Sequence, residues 1–177
     1  NGLVGTHLIS EGIDHGMTAV AGASLLALMG VFDIVGTTVS GWLTDRMDPR
    51  KLLAWYYALR GLAVIALPMA FGSTAALGAF AVFYGLDWVA TVPPTVALTA
   101  DHFGPQRAGV VFAWVYASHQ IGAAFAAWAG GASRGWFGSY TLAFVSAGIA
   151  CLFASGLSLR IKRPVLVASP VDALAVS

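Results

Sequence analysis

Charge is what this chain has least of. Asp, Glu, Lys and Arg make up 10% of its 177 residues against 58% hydrophobic ones, whereas soluble domains carry about a quarter charged residues. With a mean hydropathy of +0.79, most of these side chains are suited to lipid rather than water. The net charge is only +1 and the basic residues do not mass on one stripe, which excludes a nucleic-acid partner. A single cysteine, Cys151, sits in an apolar run, so no intrachain disulfide and no cysteine-based metal site is expected. No phosphate-cradling Gly-x-x-x-x-Gly-Lys-Ser/Thr and no His-Glu-x-x-His occurs, so neither a cofactor nor a metal is expected. Residues 1–16 lack a basic region followed by a cleavage site, so no signal peptide is read; starting at Asn1 rather than Met, the chain reads as a fragment of a longer protein.

What the sequence does have is long apolar runs. Residues 1–16 begin apolar and turn polar, too short to cross about 30 Å of hydrocarbon, and read as the end of a helix. Complete spans follow at 17–40, 52–71, 75–100, 110–130 and 141–159. The expected fold class is therefore all-α integral membrane: five complete transmembrane helices plus the end of a sixth. Within the third of these, Pro93 and Pro94 must interrupt the backbone ladder. Broken backbone at that depth is tolerated only against protein or a water-filled cavity, so this span should face inward. Residues 131–140 are expected to cross the far surface, with Trp136, Phe137 and Tyr140 as an interface belt. The domain reading is a six-helix unit over 1–163 and a short, disordered cytoplasmic tail over 164–177.

Alternating the spans tests their number. Arg46, Arg50, Lys51, Arg107, Arg160, Lys162 and Arg163 all fall on one side, and Arg134 alone on the other. By the positive-inside rule the first side, with the C-terminus, is cytoplasmic. A wrong span count would have scattered these charges.

The most charged turn, GWLTDRMDPRKLL at 41–53, resembles the signature loop of the major facilitator superfamily, Gly-x-Leu-x-Asp-Arg-x-Gly-Arg-Arg/Lys. Gly41, Leu43, Asp45, Arg46, Arg50 and Lys51 match it, while Asp48 and Pro49 replace the pattern's Gly and first Arg. The resemblance implies the C-terminal half of a transporter, its seventh helix truncated at the N-terminus and its eighth to twelfth complete, missing an N-terminal half. It implies a gating loop in which Gly41 permits close helix approach and Asp45 binds a helix N-terminus or a basic partner. The Asp33 region and the stretch AVFYGLDWVATVPPTVALTADHFGPQRAG resemble the monocarboxylate and oxalate/formate branch. There a membrane Asp is often followed four residues on by a substrate-binding Arg; this chain has Thr37.

Ionisable groups at membrane depth cost a few kcal/mol and require a partner, a cavity or a function. Asp33 lies ~12 Å and Arg60 ~13 Å from the same membrane face. Matched depth on consecutive antiparallel helices points to an Asp33–Arg60 ion pair, either structural or a gate. Asp87, at ~21 Å, and His119, at ~18 Å, lie near the midplane, where transporters place substrate and coupling ions. An Asp-His set exchanges protons near neutral pH. Interhelical hydrogen bonding is the plainer reading of His119 and Gln120. The resemblance implies that the seventh, eighth, tenth and eleventh helices line the cavity, which makes His7, Asp33, Asp87, Trp88, His119 and Gln120 the candidate substrate and proton pathway. It leaves the fifth complete span on the periphery. Gly122, Ala126 and Gly130 form a small-residue packing stripe.

The leading functional reading is a secondary active transporter of a small organic solute, such as an organic anion, driven by protons through alternating access in a plasma or inner membrane. A membrane-embedded enzyme and a non-transporting receptor or scaffold are the alternatives. The partners are the bilayer, the solute, protons and the missing half.

Overall fold

The computed structural model describes residues 2–162, and among these there is no strand. A short helix, α1 (Gly2–Asp14), is followed by α2 (Ala19–Thr44), α3 (Pro49–Ala70), α4 (Thr74–Asp87), α5 (Val92–Phe103), α6 (Pro105–Phe137) and α7 (Thr141–Arg160). Five segments are long and apolar enough to cross a membrane, with α4 and α5 together forming one crossing, Thr74–Phe103. The expected all-α membrane fold with five complete spans is therefore what is observed. Arg163 and the expected tail at 164–177 lie outside the described residues.

Three helices, α2, α3 and α4, begin where the sequence supplies a side-chain partner for a free amide. Thr18 Oγ1 accepts from Ala21 N at 3.2 Å to start α2, and Ser73 Oγ from Ala76 N at 3.3 Å to start α4. Asp48 caps α3 and Pro49 takes its first position, where no amide is needed. The two residues that depart from the signature pattern thus have a local cause: they shorten the turn to 45–48 and restart the helix. Gly104, at φ 77°, separates α5 from α6, and Gly138, at φ 71°, ends α6, a backbone region that glycine enters without penalty.

One boundary expected from the sequence is displaced. Residues 131–137 continue α6 rather than forming a surface turn, and the connection shrinks to 138–140. At 33 residues α6 is about 50 Å long, so it crosses the membrane and emerges with Trp136 and Phe137 exposed at its end. Gly130, a residue type that weakens helix interiors, is held in contact: a Cβ there would stand 2.4 Å from Leu3 Cδ1 of α1. Of the expected small-residue stripe, Gly130 and Ala126 pack toward the core, whereas Gly122 faces open space.

Packing is pairwise: α2 on α4, α3 on α7, and α6 on both α5 and α1. Two glycine crossings set the spacing. A Cβ on Gly36 of α2 would lie 1.9 Å from Leu86 O, and one on Gly85 of α4 would lie 2.6 Å from Met29 O. Gly61 of α3 and Gly148 of α7 meet in the same way, each Cβ falling under 3 Å from the other's carbonyl oxygen. Such contacts let backbones approach closely where lipid supplies no hydrophobic drive. Between the pairs lies a core of Leu8, Met29, Leu67, Tyr84 and Phe144, all nearly solvent-free. Because α7 packs on α3 and, less extensively, α6, it is peripheral, as the family resemblance implied. Gly41, expected to permit a close helix approach, has nothing within 4 Å of its would-be Cβ; the close crossings occur at Gly36 and Gly61 instead.

The contrast is testable. Gly36→Val should overpack the α2–α4 crossing and destabilise the protein by about 1–3 kcal/mol. Gly41→Ala should be neutral or stabilise by up to about 1 kcal/mol, because it replaces an unconstrained helical glycine. Thermal unfolding of the two variants in detergent, side by side, checks both.

Candidate substrate cavity

The crossing made by α4 and α5 is broken over 88–91, just ahead of Pro93 and Pro94. Pro94 has no amide to give to the carbonyl four residues back, that of Ala90, and the local turn uses Trp88 N on Gly85 O and Val92 N on Val89 O. Four backbone groups are then taken up by side chains from neighbouring helices. Ser40 Oγ of α2 donates to Ala90 O at 2.5 Å, and Asp33 Oδ1 of α2 accepts from Val89 N at 2.9 Å. Arg60 of α3 donates through Nη2 to Asp87 O and, at 3.2 Å, to Trp88 O. With α5 only 12 residues long, the break lies about 18 Å from the basic end, near mid-membrane. Hydrocarbon offers these groups no partner.

The expected Asp33–Arg60 pair is corrected by this geometry. Arg60 Nε bonds Asp87 Oδ2 at 2.7 Å, both side chains being under 7% exposed, while Asp33 is engaged by Val89 N and by Thr37 Oγ1 at 3.2 Å. Matched depth placed Asp33 and Arg60 correctly along the membrane normal, but depth does not fix which way a helix face turns. Thr37, where the resembled branch carries an Arg, here donates to the aspartate. Asp87 Oδ1 is buried with no hydrogen-bond partner among the described residues.

Beside the break opens a cavity of about 410 Å³, lined from four directions. The break and α5 contribute Trp88, Val89, Thr91, Val92 and Thr95; α6 contributes Phe112, Val115, Tyr116, His119, Gln120 and Ala123; α1 contributes Gly2, Gly5 and Thr6; α3 contributes Tyr57. The Tyr116 ring stacks at 6.3 Å on His119 and at 6.1 Å on Phe112. Tyr57 connects the cavity to the buried pair, with the Arg60 guanidinium 5.9 Å from its ring centre.

Of the expected pathway residues, Trp88, His119 and Gln120 share this cavity. Asp87 and Asp33 stand behind its wall. His7 is not a lining residue: its Nε2 lies 2.7 Å from the Ala127 carbonyl and its ring 4.8 Å from that of Tyr140. Helical spacing explains this, since Gly2, Gly5 and Thr6 share one face of α1 while Leu3 and His7 share another, turned to Gly130. Sequence reasoning missed Thr6, Tyr57, Thr91, Thr95, Phe112 and Tyr116. The series Phe112, Tyr116, His119, Ala123 has the three-to-four spacing of one helix face and could have been found from His119 outward. Tyr57 could have been found as the residue one turn from Arg60.

The gating-loop residues behave as two groups. Arg50 is bidentate on Asp48, at 2.9 and 2.5 Å, and reaches Ile161 O at 2.9 Å. Arg46 folds back on its own helix, donating to Trp42 O at 3.1 Å with its guanidinium 4.2 Å from the Trp42 ring centre. Asp45 caps the end of α2, its amide donating to Gly41 O, and Lys51 is exposed.

At the opposite end Asp14 of α1 and Arg134 of α6 are paired through two bonds of 2.6 and 2.7 Å. The hydrogen bond from Arg134 holds the Asp14 carboxyl below the usual carboxylate range.

Apolar spans thus surround a cavity with polar side chains beside a broken helix, the arrangement of a multi-pass membrane protein. The model of the Major Facilitator Superfamily matches residues 5–173, and the chain belongs to that family. Among its relatives, monocarboxylate transporter 13 of Rattus norvegicus is 30% identical over 159 residues, covering 89% of this chain and 37% of the relative. Monocarboxylate transporter 12 of the same species is 31% identical over 153 residues, 84% of this chain and 30% of the relative. YcxA, an MFS-type transporter of Bacillus subtilis, is 26% identical over 135 residues, 73% of this chain and 33% of the relative. The chain thus spans about a third of the length of these relatives.

Two outcomes follow. Arg60→Leu should destabilise the protein by about 3–5 kcal/mol by leaving Asp87 buried without its partner, and Asp87→Leu added to it should restore part of that loss; unfolding of both variants in detergent measures it. The lowered Asp14 value means that the Asp14–Arg134 tether is fully present above the ordinary Asp pKa of about 3.9 and is lost as pH falls through the lower folded value. Hydrogen exchange of α1 should rise on acidification below about pH 4, and Asp14→Asn should show the raised exchange already at pH 7.

Proposed function

We propose that this chain is the C-terminal six-helix half of a proton-coupled secondary transporter that moves a small organic solute, an organic anion in the leading case, by alternating access. The unit covers 1–163 with a cytoplasmic tail at 164–177, in a plasma or inner membrane, and works with an N-terminal half of the same protein. It is a transporter and not an enzyme.

The observation that carries the reading is the buried Arg60–Asp87 pair with Asp87 Oδ1 unpartnered, one residue from the cavity wall at Trp88. Intramembrane acids of this kind mark ion and proton pathways. A proton on Asp87 removes the charge that holds Arg60, and Arg60 is also a brace of the broken helix. Protonation is thereby linked to the conformation of the segment that forms the cavity wall. The solute occupies the cavity between Tyr57, Trp88, Tyr116 and His119, with His119, Gln120 and the threonine hydroxyls as its polar contacts. Relatives named as monocarboxylate transporters favour a carboxylate as the anion. Asp33 and His7 support this machinery from outside the cavity, and Gly41, Asp45, Arg46, Arg50 and Lys51 form the loop that favours one of the two access states.

Uptake of labelled monocarboxylates by the intact protein in liposomes, with and without an inward proton gradient, tests the proposal. The gradient should accelerate uptake by wild type, and Asp87→Asn should bind the same solutes while losing that acceleration. Unchanged stimulation in a folded Asp87→Asn protein would remove Asp87 from the coupling; no uptake of any carboxylate would remove the anion.

A further inference from the structure

A second recess lies on the outer surface of the α3–α7 pair, away from the cavity. It encloses about 390 Å³ and is lined by Lys51, Ala54, Trp55, Ala58, Ser155 and Leu159. Its floor is made of small side chains, and Ser155 spends its hydroxyl inward on Ala54 O at 2.7 Å, so the floor presents no free donor to the groove. Trp55 and Leu159 form its walls and are 62% and 55% exposed. Lys51, at one end, is exposed, and so is Arg160, the residue after Leu159. From Lys51 to Ala58 the groove descends seven helical residues, about 10 Å.

The position is as informative as the lining. Lys51 stands in the third position of α3 and Arg160 ends α7, so the open end of the groove lies at the membrane surface that also carries Arg46, Arg107 and Lys162. Arg50 cannot serve the groove, because Asp48 and Ile161 O hold it. That same bond from Arg50 to Ile161 O ties the end of α7 to the start of α3, joining the residue before Lys51 to the residue after Arg160. An apolar trough running inward from a basic mouth, walled by an interfacial Trp, matches a molecule with an anionic head and a hydrocarbon tail.

We infer that this groove binds one anionic phospholipid, its phosphate between Lys51 and Arg160 and an acyl chain laid along Ala54, Ala58 and Leu159. The groove thereby joins the two peripheral helices to the acidic lipids of one leaflet. Bound lipid sits against the base of α3, one end of the helix whose other functional group, Arg60, braces the broken segment. Juxtamembrane basic residues interact with acidic leaflets strongly enough that two of them give a preference on the order of tenfold over zwitterionic lipid.

Quenching of Trp55 separates the possibilities. The intact protein is reconstituted into nanodiscs of phosphatidylcholine containing a small fraction of either dibrominated phosphatidylglycerol or dibrominated phosphatidylcholine, and the Trp55 signal is taken as the difference from Trp55→Phe. Brominated phosphatidylglycerol should quench it at about a tenth of the mole fraction needed by the zwitterionic lipid. In the double variant Lys51→Gln, Arg160→Gln that preference should vanish while quenching by brominated phosphatidylcholine persists, which also shows that the groove is intact. Equal quenching by the two lipids in wild type, or a preference that survives the double substitution, overturns the inference. So does quenching by neither, the result expected if another protein helix covers the groove.

Discussion

Four backbone groups set free in the middle of a membrane organise this structure. Where α4 gives way to α5, carbonyls and an amide lose their helical partners, and hydrocarbon offers none. Ser40, Asp33 and Arg60 take up Ala90 O, Val89 N, Asp87 O and Trp88 O. Every polar side chain in this set comes from a helix other than the broken one. The demand for partners therefore fixes how α2 and α3 rotate about their axes, and with them the faces they turn to lipid.

Close approach makes that possible. Ser40 and Asp33 reach the break because α2 lies against α4 at Gly36 and Gly85, where no Cβ could be accommodated. Arg60 reaches it from α3, which is itself steadied against α7 by the Gly61–Gly148 crossing. Small residues and buried polar groups serve one arrangement here: the first bring backbones together, and the second exploit the short distances. The cavity is a consequence, because a broken segment held by its back leaves Trp88, Val89 and Thr91 facing the opposite way, toward α6.

The same geometry gives the buried charges more than one task. Arg60 neutralises Asp87 and also closes two carbonyls of the break. A change in the charge of Asp87 is therefore felt by the backbone of the cavity wall without any intervening pathway. In the resembled branch, Asp33 would be followed by an Arg at the next turn; here Thr37 supports Asp33 and the cation stands on the neighbouring helix at Arg60. Charge of the same sign is supplied at a similar depth from a different direction.

Spans and the presence of a break between α4 and α5 were legible in the sequence, because each rests on something local: run length against bilayer thickness, and the missing amides of Pro93 and Pro94. The tertiary structure alone decided azimuth. Arg60 chose Asp87 over an equally deep Asp33, His7 turned to Ala127 while Thr6 faced the cavity, and α6 ran on past Gly130 because Leu3 and His7 of α1 pack against it. Rotation about a helix axis depends on which neighbours can approach and on which free backbone groups they must meet, and that information lies between helices rather than along any one of them.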